Sequence, residues 1–239
     1  MIPLAVAMLS LTPAVRDEGW DKLFNGKDLS GWQLPVPAQG FGTITPTLSE
    51  AGKVVALQGT PSKGGEPVTL WQVTDGLLVG GGPMTHLFTN QGDYADFHLK
   101  VVVKVNDGGN SGIFFRTAVN PGIPVGYEAQ VNATHGDPVK SGSLYPNAGF
   151  GLDKFRKQNC VMNKAAHGPD EFFTEEVICE GARIRILVNG QQTVDFTDAY
   201  DHPKRQTGFK TGHIAVQAHD PKSVMTFRSV EIKRLSPAK

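Results

Sequence analysis

Cysteine is nearly absent from this chain: there are two in 239 residues, Cys160 and Cys179. Two isolated cysteines argue against a zinc site, because metal-binding cysteines come in close pairs. In an exported protein the two could instead pair with each other across the segment they flank, although spacing alone does not place their Cα atoms. A surplus of charge is missing as well. Lys+Arg and Asp+Glu each number 23, so the basic excess expected of a nucleic-acid-binding chain is not there. The N-terminal apolar run, Ile2 to Leu11, is too short to span a bilayer. No nucleophile elbow, phosphate loop or zinc motif occurs, and no long heptad pattern or repeat.

What is present is glycine, at 28, proline, at 16, and many short apolar runs punctuated by both. That pattern points to strands rather than helices. Ile2 to Leu11, followed by Thr12-Pro13-Ala14-Val15, has the character of the apolar region of a secretory signal. Residues 1–16 are therefore expected to be the remnant of such a signal, and residues 17–239 a single domain, periplasmic or extracellular.

Within that domain Asn25-Gly26 and Asp75-Gly76 are turn signals, the second between Leu70–Val73 and Leu77–Val79. Pro35 to Pro67 reads as a long surface excursion with one short strand at Val54–Leu57. Phe97, Leu99, Val101, Val103 and Val105 alternate with His98, Lys100, Val102 and Lys104, so one face is core and the other largely wet. Ile184, Ile186 and Val188 alternate in the same way before an Asn189-Gly190 turn. In Gly212 to His219, Ile214, Val216 and Ala218 face inward and His213, Gln217 and His219 outward. Met225 to Leu235 supplies a last strand, and Pro146 to Glu171 reads as loop across a cleft mouth. About ten to twelve strands in one domain favour an all-β fold, an antiparallel two-sheet jelly-roll sandwich. Leu99, Val101, Val103, Ile113, Phe115, Ile186, Val188, Ile214, Val216 and Phe227 are its expected core.

Asn110 to Tyr145 is the densest stretch in polar side chains of possible function. Side chains alternate across a sheet, so Glu128 and Gln130 share one face, while Tyr127, Ala129 and Val131 share the other. By the same parity Phe114 and Arg116 share a face. If the two strands are neighbours, one face gathers an acid, an amide, a guanidinium and an aromatic ring, which suits a polar ligand such as a sugar. The plainer readings stand beside this one. Glu128 and Arg116 could be a surface ion pair, and Asn110-Ser111-Gly112 could be only a turn.

Several pieces, in order, carry a family likeness: Leu23-Phe24-Asn25-Gly26-Lys27-Asp28-Leu29-Ser30-Gly31-Trp32, Asp93-Tyr94-Ala95-Asp96-Phe97, Asn110-Ser111-Gly112-Ile113-Phe114-Phe115-Arg116, Gly126-Tyr127-Glu128-Ala129-Gln130, Ser141-Gly142-Ser143-Leu144-Tyr145, Val188-Asn189-Gly190 and Phe227-Arg228-Ser229-Val230-Glu231-Ile232. With them the chain resembles the bacterial 3-keto-disaccharide hydrolases, also described as 3-keto-glycoside lyase/hydratases. The resemblance implies a concanavalin A-like lectin/glucanase sandwich whose concave sheet binds glycans. It also implies action on glycosides already oxidised to a ketone at C3. Two positions depart from the family pattern: Glu171 is followed by Phe172-Phe173, and Asn132 stands two residues beyond Gln130.

A C3 ketone acidifies the hydrogen on C2, so a base can remove it and the enolate can expel the C1 substituent; water then adds back. On this view Glu128 is the base, Arg116 stabilises the enolate oxygen or binds hydroxyls, and His219 is an acid or a metal ligand. Asn110, Gln130, Gln217 and Tyr145 bind substrate. A divalent cation could take part, with His86, His135 and Asp137 as further candidate ligands. The rival class is a glycan-binding module without turnover, which the same sandwich would allow. A third, a two-carboxylate glycosidase, wants a second acid across the scissile bond, and the sequence names none beside Glu128.

Overall fold

The computed structural model describes residues 19–35, 38–145, 160–198 and 210–236. The expected signal segment, and the part of the expected mouth loop at 146–159, lie outside them. The described residues form fifteen strands and no helix. The first seven are β1 (Asp21–Lys22), β2 (Trp32–Gln33), β3 (Phe41–Leu48), β4 (Val54–Pro61), β5 (Val68–Thr74), β6 (Leu77–Gly80) and β7 (Thr85–Thr89). Next come β8 (Phe97–Val105), β9 (Ser111–Thr117), β10 (Tyr127–Val131) and β11 (Phe173–Glu180). β12 (Arg183–Val188), β13 (Gln191–Thr197), β14 (His213–Ala218) and β15 (Met225–Arg234) complete the fold.

The strands make two antiparallel sheets. The ten-stranded sheet runs β13-β12-β11-β8-β15-β6-β5-β4-β3, with β1 added to β15; the five-stranded sheet runs β10-β9-β14-β7-β2. Chain neighbours such as β8 and β9 lie in different sheets, the crossing pattern of a jelly roll. The expected core is all buried, from Leu99, Val101 and Val103 on β8 to Ile214 and Val216 on β14. The alternation along β8 is the expected one: every odd position from Phe97 to Val105 is buried and every even one half-buried. No disulfide joins Cys160 and Cys179, and both are buried.

One expectation needs correction. Pro35 to Pro67 is not an excursion with one short strand: β3 and β4 form a hairpin of eight residues each at the edge of the large sheet. Most side chains of β3 are exposed, so it carries no apolar alternation, and Pro46 interrupts the sequence pattern in the way an edge strand tolerates. β11, which follows the expected loop, is not singled out by the sequence. Its inward series is Phe173, Glu175, Val177 and Cys179, and the acid in that series hides the period.

The small sheet is unusual in being buried on both faces. Every residue of β7, β9 and β10 is buried. One face packs on the large sheet. On the other, Val119 packs over Phe88, Phe114 and Ala215, and Ser141 to Tyr145 runs along β10, with Gln130 N donating to Ser143 O and Tyr145 N to Glu128 O. Replacing Val101 or Ile214 by Ala should destabilise the protein by about 1–4 kcal/mol, through lost burial and the cavity left behind. The chemical unfolding midpoint measures this, and no shift in either variant would mean the faces are misassigned.

Candidate active site

The uncovered part of the small sheet's outer face is a cleft, and strand register determines what lines it. Glu128 pairs with Phe114 and Gln130 with Gly112. Ala215 pairs with Phe114 on one side and with Phe88 on the other, and Gln217 with His86. The resulting cavity of about 210 Å³ is lined by Asn110, Glu128, Gln130, Tyr145, Gln217 and His219, together with Met84, Phe114 and Ile123. Six of the seven site residues expected from sequence therefore meet in one place.

Arg116 is the exception. Phe115 and Arg116 together stand opposite the single residue Ile214, a bulge in β9 marked by the register shift against β14 and by φ of +50° at Arg116. The extra residue reverses the parity on which the sequence reading depended. The guanidinium is buried and donates to Ala95 O at 2.6 and 2.9 Å, to Gly181 O at 2.8 Å and to Asp96 Oδ1 at 3.3 Å. These acceptors flank β8 and β11 in the large sheet. Arg116 thus joins the sheets and does not line the cleft.

Glu128 lies over Gly112, where a Cβ would stand 2.2 Å from its Oε1; only glycine leaves room for the carboxyl. Its side chain is 6% exposed and has no hydrogen-bond partner among the described residues. Burial, and then the nearby charge of Asp137, push its pKa up to about 8. Beside it Gln130 Nε2 donates to Asn110 Oδ1 at 3.1 Å. Tyr145 OH donates to Asp137 Oδ2 at 2.8 Å, and burial and that bond raise its pKa to about 12.

Gln217 and His86 form the next group. Burial, and then the charge of His219, push His86 down to about 3, so it is neutral. Gln217 Nε2 donates to His86 Nε2 at 3.1 Å, which fixes the amide's orientation. Its buried Oε1 has no hydrogen-bond partner among the described residues. Such an acceptor on a cavity wall calls for a donor from a ligand or water.

His219 is held by Asp220, Nδ1 to Oδ2 at 2.8 Å. Asp220 also accepts from Lys222 N and from Ser223 Oγ. Burial alone would raise the Asp220 pKa, but the bonds from His219, Lys222 and Ser223 outweigh it and hold the carboxyl below its ordinary range. The carboxylate keeps the proton on Nδ1 and leaves Nε2 of His219 as the working nitrogen. Sequence reasoning missed Asp220, although an acid directly after an outward histidine at a strand end was a usable signal.

Ligand atoms of His135, His219 and Asp220 lie within 4.8 Å of one another, the one grouping among the described residues with the chemistry to hold a cation. The grouping expected from sequence, His86, His135 and Asp137, does not assemble, because His86 is engaged with Gln217.

A second buried acid supports the cleft from behind. Glu175, on the inner face of the large sheet, accepts from Gly142 N at 3.1 Å, and Thr193 Oγ1 donates to Gly142 O at 2.7 Å. Gly142 has φ of +84°, and a Cβ there would stand 2.8 Å from Val188 Cγ2. The peptide before Ser143-Leu144-Tyr145 is thereby clamped to the opposite sheet.

The site is a polar cleft on the small sheet of an all-β sandwich. The chain belongs to the family of 3-keto-alpha-glucoside-1,2-lyase-like domains, whose sequence model matches residues 19–233. The fold is similar to that of two solved candidate glycosyl hydrolases from Parabacteroides distasonis. One is 22% identical with a TM-score of 0.58, covering 92% of this chain and 95% of that one. The other is 18% identical with a TM-score of 0.59, covering 90% and 99%. A glycosyl hydrolase family protein from Mycobacterium fortuitum is 14% identical with a TM-score of 0.53, covering 89% and 97%. No curated protein matches the sequence.

The two buried acids give a pH prediction. Burial raises Glu128 to about 8, and raises Glu175 to about 8 against the lowering effect of the Gly142 N–H bond. An acid whose folded pKa exceeds its unfolded value makes the folded state bind more protons. Its contribution is therefore fully present below the unfolded value and lost as pH rises through the folded one. Stability should fall between about pH 5 and 8, by at most about 1.4 kcal/mol per pH unit for each group. Unfolding midpoints across that range should be flatter in Glu175→Gln, and a flat wild-type profile would contradict the assignment.

Proposed function

We propose that the protein cleaves 3-keto-glycosides by elimination and hydration, with net hydrolysis. The observation that carries this reading is Glu128: a carboxyl without a hydrogen-bond partner among the described residues, facing a cavity, its pKa pushed up to about 8, and flanked by the amides of Asn110, Gln130 and Gln217. A base of raised pKa is better matched to a carbon acid than an ordinary carboxylate. Membership of the 3-keto-alpha-glucoside-1,2-lyase-like family supports the substrate class. The apolar run Ile2–Leu11 supports export to the periplasm or beyond.

In the first step Glu128 takes the C2 proton, the C–H electrons form the C1–C2 double bond through the enolate, and the C1–O bond breaks. His219 in its imidazolium form, with Nδ1–H held by Asp220, delivers its Nε2 proton to the leaving oxygen. Water then adds its hydroxyl to C1 and returns a proton to His219, while the Glu128 carboxyl, after exchanging its proton with solvent, protonates C2. Arg116 has no part in this. Charge on the enolate oxygen is met by neutral donors, chiefly the Asn110 carboxamide, in a site where low dielectric strengthens each hydrogen bond.

Glu128→Gln should keep the fold and lose about 10²–10⁴-fold in turnover, the usual worth of a positioned general base. In the wild type, kcat/KM should rise as pH approaches 8 and Glu128 ionises. Solvent deuterium should appear at C2 of the released sugar, and a plain glucoside should be cleaved far more slowly than its 3-keto form. Full activity in Glu128→Gln would move the base to His219. Release of sugar without deuterium at C2 would rule out elimination, and binding of both glucosides with cleavage of neither would mark a binding module.

A further inference from the structure

Four large apolar side chains are well exposed among the described residues: Leu48, Ile123, Val125 and Val224. Two of them, Ile123 at 54% and Val125 at 43%, lie on the segment between β9 and β10, and Ile123 lines the cavity itself. That segment is anchored. Val119 packs on Phe88, Phe114 and Ala215. Thr117 Oγ1 donates to Val125 O at 3.0 Å, and Asn120 Nδ2 to Ile123 O at 3.1 Å. The apolar pair is therefore held at the surface by the backbone bonds on either side. Met84 and Phe114 carry the apolar surface into the cavity.

The cleft thus combines two chemistries, with amides and an acid alongside the hydrocarbon of Met84, Phe114 and Ile123. At about 210 Å³ it is small beside the roughly 300–1,000 Å³ of sites that enclose drug-sized ligands. One sugar ring fills it, so whatever is attached at C1 must lie toward the rim. A second sugar there would turn hydroxyls against hydrocarbon without partners, which is unfavourable. An apolar group would bury its surface against Ile123.

We propose that Met84, Phe114 and Ile123 form a subsite for an apolar leaving group, so that 3-keto-glycosides of aromatic or alkyl alcohols are preferred over those of a second sugar or a polyol. This rests on the glycoside-cleaving reading and narrows its substrate class.

Benzyl 3-keto-glucoside and the 3-keto-glucoside of glycerol test it, since both release primary alcohols and differ mainly in polarity. The benzyl compound should have kcat/KM higher by about 10-fold or more, the lower end of what an apolar pocket discriminates. Ile123→Asn, a change at an exposed position, should cut the benzyl-to-glyceryl ratio severalfold or more. Equal kcat/KM for the two, or an unchanged ratio in Ile123→Asn, overturns the proposal. If neither compound is cleaved, the catalytic reading has failed separately, and calorimetric binding of the two compounds decides the subsite. Tighter benzyl binding that Ile123→Asn abolishes upholds it; equal or undetectable binding overturns it.

Discussion

A buried guanidinium governs how the two sheets of this protein meet. Arg116 leaves β9 at a bulge and reaches the carbonyls of Ala95 and Gly181 and the carboxylate of Asp96 on the opposite sheet. A buried cation without partners would be strongly destabilising, so these acceptors and the bulge that aims the side chain at them are mutually dependent. The bulge also ends the regular part of β9. On the near side of it Gly112 and Phe114 keep their places under Glu128 and beside Ala215. The cleft floor therefore inherits its register from an interaction that lies outside the cleft.

The site above that floor holds little formal charge. His86 is neutral, Glu128 and Glu175 are held near neutrality by burial, and the remaining polar lining consists of amides and a phenol. A cleft built in this way suits a neutral polar ligand held by directed hydrogen bonds, and its buried acid has a pKa that burial has moved toward physiological pH. Asp220 carries a fixed charge and orients His219.

Much of this was legible in the sequence because it followed strict alternation. The β8 series, the outward pair Gln217 and His219, and the shared face of Glu128 and Gln130 all follow from period two alone. The same rule failed at Arg116, since one inserted residue reverses parity and no composition signal marks it. It failed at β3, whose exposed side chains leave nothing to alternate, and at β11, where Glu175 occupies a core position that pattern reading reserves for hydrocarbon. Tyr145 entered the site through its motif neighbours, whereas the clamp on Gly142 that places it depends on β11 and β13, distant in sequence, and could not be read locally.

The outer strand of the hairpin at the large sheet's edge has a consequence for how copies of this protein behave together. Sheet edges are templates on which another chain can add a strand. β3 is eight residues long and largely exposed, which would make it a natural seed for end-to-end growth. Pro46 has no N–H to offer a newcomer, so a strand laid against it would lose a rung of its ladder midway. The residue that obscured this strand in the sequence is thus also the one that discourages the folded protein from polymerising through it.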